Sequence, residues 1–211
     1  MKLVILGANG RTGVHVLRRA LDEGAHITAV VRSKAKRPEL RHHRLKVVAG
    51  DPCDPKFLTA VFRGQDAVIS TLGGRRPTKT ATSIYYRSAS AIVEASRQTG
   101  LKKVVVTSSA LLFPPRRWID RLLKIVVRSV VTSASLMEQI LQAADLDVTI
   151  ARCGFLTDAD ETEYRTVNGA LPEAGSSVSR RSLAHFLVDA VQGASSGHIV
   201  WGVSAPARPD A

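Results

Sequence analysis

Lys2-Leu3-Val4-Ile5-Leu6 runs without a break into Gly7-Ala8-Asn9-Gly10-Arg11-Thr12-Gly13, and a helical pattern follows to Glu23. An apolar pentad of this kind reads as a buried strand, and the three glycines read as a tight turn that opens a helix. Such a turn lets backbone N–H groups meet a pyrophosphate at the helix N-terminus. The spacing is G-x-x-G-x-x-G rather than G-x-G-x-x-G, so the position between strand and helix carries the reading.

Strand and helix patterns alternate onward from this turn. Strands are expected at Lys2–Leu6, His26–Arg32, Leu45–Ala49, Ala67–Thr71, Lys103–Ser108, Asp147–Arg152 and His198–Gly202. Helices are expected at Thr12–Glu23, Ser83–Thr99, Ser135–Ala144 and Arg181–Gln192, with Gly24 and Gly100 as stops and Ser179 as a cap. Gly73–Thr82 and Thr157–Ser177 read as surface loops. The alternation predicts a single-domain α/β protein with a doubly wound parallel sheet, a Rossmann fold, over residues 1–204. Residues 205–211 read as a loose tail.

The 211 residues suffice for one good-sized core, and 45% hydrophobic content marks a globular chain. Two cysteines, Cys53 and Cys153, suggest neither a disulfide framework nor a metal site, which points to a reducing cytoplasm. No apolar run is long enough to span a bilayer, and Met1-Lys2 leads straight into a strand, leaving no room for a signal peptide. The formal charge of +12 suits anionic ligands. Its basic residues are scattered and aromatics are 5%, so no nucleic-acid partner is expected.

Ligands of such sheets sit at the carboxyl ends of the strands. Gly7, Asn9, Gly10, Arg11, Thr12 and Gly13 are therefore candidates for the pyrophosphate. An Asp or Glu ending strand two would favour NAD, but this chain has Arg32-Ser33, followed by Lys34, Lys36 and Arg37. Arginine there attracts a 2′-phosphate, so Arg32, Ser33 and Arg37 favour NADPH. Asp51 and Pro52 follow strand three; Thr71, Leu72 and Gly73 follow strand four. Thr107 and Ser108 lead to Ser109 beside the expected nicotinamide. For Asp51, a plain turn role is the competing reading.

Gly7–Gly13, Val31-Arg32, Gly50-Asp51, Ala67-Val68-Ile69 and Val106-Thr107-Ser108-Ser109 together resemble the atypical short-chain dehydrogenase/reductases with an NAD(P)H-binding domain. Leu146–Arg152 with Gly154–Asp158, and Val178–Ala184, extend the resemblance over nearly the whole chain, closest in layout to the flavin reductase branch. The resemblance implies a bound nicotinamide cofactor and hydride transfer, with Ser109 catalytic and Arg152, Cys153 and Phe155 near the cofactor. Cys153 replaces the usual proline of an Arg-Pro-Gly segment, either as a reactive thiol or as a small buried residue.

The Tyr-x-x-x-Lys pair of the wider superfamily is missing. No tyrosine lies between Tyr86 and Tyr164, and Asp120 occupies the place ahead of Lys124. Tyr86 is left to lean into the site or to pack. A site without that acid suits planar acceptors, such as a flavin, a quinone or a linear tetrapyrrole, whose proton can come from water. A non-catalytic NADP(H) sensor and a reductase or isomerase of one biosynthetic intermediate are the alternatives.

One segment stands apart. Pro114-Pro115-Arg116-Arg117-Trp118 leads into Ile119–Val131, with Arg117, Arg121, Lys124 and Arg128 on one face of an apolar helix. A lid or core element is the first reading, a homo-oligomer contact through 114–131 the second and a membrane surface the least expected.

Overall fold

The computed structural model describes residues 1–33, 40–74, 77–115, 118–193 and 196–206, with only the backbone of 118–120. Lys34, Lys36, Arg37, Arg116, Arg117 and tail residues 207–211 lie outside the described residues. The elements in chain order are β1 (Lys2–Leu6), α1 (Gly13–Asp22), β2 (His26–Val31), β3 (Leu45–Ala49), α2 (Pro55–Phe62) and β4 (Ala67–Ser70). Then come α3 (Lys79–Thr82), α4 (Ile84–Thr99), β5 (Lys103–Ser109), a 3-10 turn (Ala110–Leu112), α5 (Trp118–Val126) and α6 (Arg128–Gln142). The chain closes with β6 (Asp147–Cys153), β7 (Phe155–Thr157), β8 (Arg165–Asn168), β9 (Ser177–Ser179), α7 (Arg180–Gln192) and β10 (His198–Ser204).

One sheet of eight strands runs β3-β2-β1-β4-β5-β6-β10-β8. Its strands pair in parallel except β8, which runs antiparallel along β10. The chain winds outward from β1 to β3, returns to β4 beside β1, and winds outward again, so the switch point lies between β1 and β4.

Both faces of this sheet are buried, which is why its strands read as unbroken apolar runs. Leu3, Ile5, Ile27, Ile69, Val105 and Ala151 face α1 and α7. Val4, Leu6, Val68, Val104, Val106 and Ile150 face α2, α4 and α6. Successive residues point to opposite faces, so each strand feeds two cores by parity.

The structure departs from the sequence expectations in places with clear causes. The helix expected at Ser135 begins at Arg128, because the apolar segment before it continues as helix and breaks only at Val127 (φ −104°, ψ 29°). Helix α2 was missed: it is eight residues long, opened by Asp54, whose side chain accepts from Lys56 N–H, and by Pro55 at its first position. The loop expected over 157–177 contains β8, whose pairing with β10 is a long-range fact invisible in local composition. The loop expected over 73–82 holds the short α3, and β10 extends to Ser204.

The β1–α1 turn has no room for a side chain at its end. A Cβ on Gly13 would lie 2.0 Å from the carbonyl oxygen of Gly7, while Gly7 itself sits at φ +82°. Gly13→Ala is therefore expected to cost about 2 kcal/mol or more of stability, read as a lowered urea midpoint, and to weaken dinucleotide binding.

Candidate functional site

The carboxyl ends of β1, β4, β5 and β6 meet at one edge. Gly10 N–H bonds the Gly7 carbonyl at 2.8 Å and Val14 N–H bonds the Gly10 carbonyl at 3.1 Å, which fixes the turn. Thr71, just after β4, lays its hydroxyl against this turn and donates to the Leu6 carbonyl at 3.2 Å. A Cβ on Gly7 would stand 2.9 Å from that hydroxyl, so the close approach of the two strand ends also requires glycine.

The start of α1 suits an anion. Thr12 makes no side-chain cap bond, and no acidic residue occupies the first turn. By contrast Asp54, Thr78 and Ser179 each cap their own helix. An uncapped helix N-terminus behind a glycine turn leaves backbone N–H groups for a phosphate oxygen. The residues present thus fit a dinucleotide. Arg32 and Ser33 are exposed just beyond β2, beside the end of β3.

Asp51 is exposed at the turn after β3, where its carboxylate accepts from Cys53 N–H at 2.9 Å and its carbonyl from Asp54 N–H at 3.0 Å. Pro52 beside it is buried. Leu72 packs on the core shared with α4. Arg11 leaves the glycine turn to pair with Asp158, which also takes Arg180 at 2.7 Å. Desolvation pushes the Asp158 carboxyl up, but the charges and hydrogen bonds of Arg180 and Arg11 prevail and hold it below the ordinary range.

Parity divides the residues at the ends of β5 and β6. Ser108 pairs in register with Arg152, and Ser109 with Cys153. Ser108 and Arg152 point to the α6 side, where Ser108 Oγ donates to Glu138 Oε1 at 2.5 Å. Arg152 donates to both Glu138 oxygens, at 3.1 and 2.6 Å, with its guanidinium 4.7 Å from the centre of the Phe113 ring. Glu138 is buried, so this forked pair is a largely desolvated one. Ser109 and Cys153 open the other way, onto a cavity of about 520 Å³.

That cavity is lined mainly by apolar groups, among them Leu111, Phe113, Leu123, Val127 and Phe155. The Ser109 hydroxyl oxygen accepts from Leu111 N–H at 3.3 Å, and the residue lines the cavity. Lys124 donates to the Phe113 carbonyl at 2.9 Å, tying α5 over the cavity as a roof. Phe155 stands at the rim, 65% exposed. Thr107 shares the parity of Ser109 and is half-buried.

Cys153 settles on its bland alternative. It is buried, its Sγ lies 3.4 Å from the Ser108 carbonyl, and desolvation pushes its thiol up to about 12. Tyr85, the neighbour of Tyr86, comes close to the strand ends. A Cβ on Gly73 would lie 3.1 Å from the Tyr85 hydroxyl, and burial, with Cys153 as the second cause, raises that phenol to about 12. Tyr85 shares the buried helical stripe of Ser88, Ala89 and Ile92, a periodicity legible in the sequence.

These features define a dinucleotide-binding α/β protein with a mainly apolar cavity at the carboxyl ends of β5 and β6. The chain belongs to the NAD(P)H-binding family, whose model matches residues 7–193. The photosystem II assembly factor Ycf39 of Synechocystis is 28% identical over 109 residues, which is 51% of this chain and 33% of that protein. The chain thus spans about a third of the length of this curated relative. Among solved structures, ChuY, an anaerobillin reductase from Escherichia coli O157:H7, superposes over 100% of both chains at a TM-score of 0.79 and 22% identity. A short-chain dehydrogenase/reductase from Veillonella parvula in complex with NADP covers 99% of this chain and 95% of its own at 0.77 and 22%. Likeness at this level establishes the fold.

Two measurements follow from the site. Glu138→Ala strands the Arg152 guanidinium in a buried position and is expected to cost about 3 to 5 kcal/mol in urea unfolding, with Glu138→Gln milder. Burial also pushes Cys53 up to about 11. Raised thiols are protonated at neutral pH, so iodoacetamide at pH 8 is expected to label the native chain about a hundredfold more slowly than the denatured chain, the gap closing as pH rises.

Proposed function

We propose that this chain is an NADPH-dependent reductase that passes hydride to a planar acceptor held in the cavity beside Ser109. The observation that carries the reading is the cavity itself: it is apolar, roofed by α5, and reaches the ends of β5 and β6 at Ser109 and Cys153. Flavin, quinone and linear tetrapyrrole share the flat, electron-poor ring that such a slot suits. The anaerobillin reductase of the same fold supports a tetrapyrrole among them. The proposed working unit is residues 1–204, acting in a reducing cytoplasm.

NADPH, when bound, supplies the hydride. Gly7, Asn9, Gly10, Thr12 and Gly13 hold the pyrophosphate through the turn and the uncapped start of α1. Arg32 and Ser33 hold the 2′-phosphate, with Arg37 as the third sequence candidate. Arg11 steadies the turn through Asp158. Ser108 and Arg152 fix the ends of β5 and β6 through Glu138, while Thr71, Leu72, Gly73 and Thr107 form the floor. Ser109 donates a hydrogen bond to the acceptor, and Leu123, Val127 and Phe155 exclude water from it.

A second reading has its own support. Ycf39 is an assembly factor by name, and this chain lacks the tyrosine-lysine pair. On that reading the chain binds NADP(H) and acts through a partner.

NADPH oxidation followed by absorbance, with FMN, a quinone and biliverdin as acceptors and NADH as control, separates the two. Turnover with one of them is expected. Arg32→Glu is expected to weaken NADPH by at least about tenfold and to spare NADH, and Ser109→Ala to lower turnover with cofactor affinity kept. NADPH binding without turnover across the panel would overturn the planar-acceptor reading in favour of the second one or of a reductase or isomerase of one biosynthetic intermediate.

A further inference from the structure

Helix α5 has two faces with different neighbours. Leu123, Lys124 and, just past the helix, Val127 line the cavity. The opposite face is bare: Leu122 is 52% exposed, Ile125 71% and Val126 73%. Three aliphatic side chains at i, i+3 and i+4 make a continuous outward stripe. Arg121, next to Leu122, and Arg128, at the start of α6, are also exposed and flank it.

Aliphatic residues at this exposure are not explained by the fold, because it is the other face of the same helix that lines the cavity. The stripe needs an occupant, and charge selects among the candidates. A second copy packed two-fold on this stripe would gather Arg121 and Arg128 of both copies around one small apolar patch, in a chain already at +12. A folded protein partner usually meets a broad patch anchored by aromatic side chains. Here a single convex helix offers three aliphatic groups, a small apolar area. An anionic bilayer asks for less: a short helix lying in the headgroup plane, apolar groups downward and cations beside the lipid phosphates.

We propose that α5 docks this protein on an anionic membrane surface through Leu122, Ile125 and Val126, with Arg121 and Arg128 against the headgroups. The docked face is the outer side of the cavity roof, and Phe155 at the cavity rim is itself exposed. The binding step is independent of any redox activity, so its test reads binding alone.

The full chain is sedimented with vesicles of phosphatidylcholine and with vesicles containing about one-third phosphatidylglycerol, at low and at high salt. Binding is expected to the anionic vesicles, absent from the neutral ones and weakened by salt. The double variant Ile125→Glu, Val126→Glu is expected to lose at least about tenfold in affinity with its melting temperature kept, since both side chains stand in solvent. Arg63→Gln with Arg97→Gln, a comparable charge change away from α5, is expected to bind as the parent does. The proposal is overturned if the parent ignores anionic vesicles or binds neutral ones equally. It is also overturned if the α5 variant binds undiminished, since the net charge alone would then suffice, or if sizing shows a dimer that the same variant dissolves.

Discussion

The carbonyl oxygen of Gly7 lies so close to Gly13 that no side chain fits between them. The rest of the cofactor edge follows from that contact. It turns β1 into α1 within six residues and aims the uncapped helix start along the strand ends. It also lets Thr71 close on the turn from β4, which places the switch point where two windings of the sheet diverge. A bulkier turn would push α1 off the sheet and separate it from α7, against which it packs in the same core.

Parity is the second organising constraint. Because both sheet faces are buried, adjacent residues at a strand end serve different neighbours. Ser108 and Arg152 look toward Glu138 and become struts; Ser109 and Cys153, one residue further, look into the cavity. Four side chains within two short segments thus divide between holding the edge and lining it. The position one step along the chain from a site residue can have no access to the ligand at all.

Much of this was legible beforehand. The alternation of strands and helices, the glycine turn and the cap at Ser179 follow from local patterns. The struts were not, since nothing near Ser108 or Arg152 in the sequence announces that α6 supplies a carboxylate. Tyr85 and Tyr86 look alike as a pair, and only the helical stripe of small residues after them marks Tyr85 as the one packed against the core. Asp51 illustrates the reverse: its turn role is visible in the neighbouring proline, and one of its carboxylate oxygens accepts from the backbone of that turn. Strand β8 escaped notice because its partner is more than thirty residues away.

The placement of β8 also bears on how the chain is made. A ribosome delivers β8 before β10, yet β8 joins the sheet only through β10, and β10 is what covers the far side of β6. Until β10 has emerged, the growing chain carries β6 as an open edge and β8 as a strand with nothing to pair with. The same holds for Arg165, whose guanidinium donates to the Ala205 carbonyl just past the end of β10. Closure of this side of the sheet therefore waits on β10, and the interval between β6 and β10 leaving the ribosome is when that edge is most open to pairing with a neighbour on the same message.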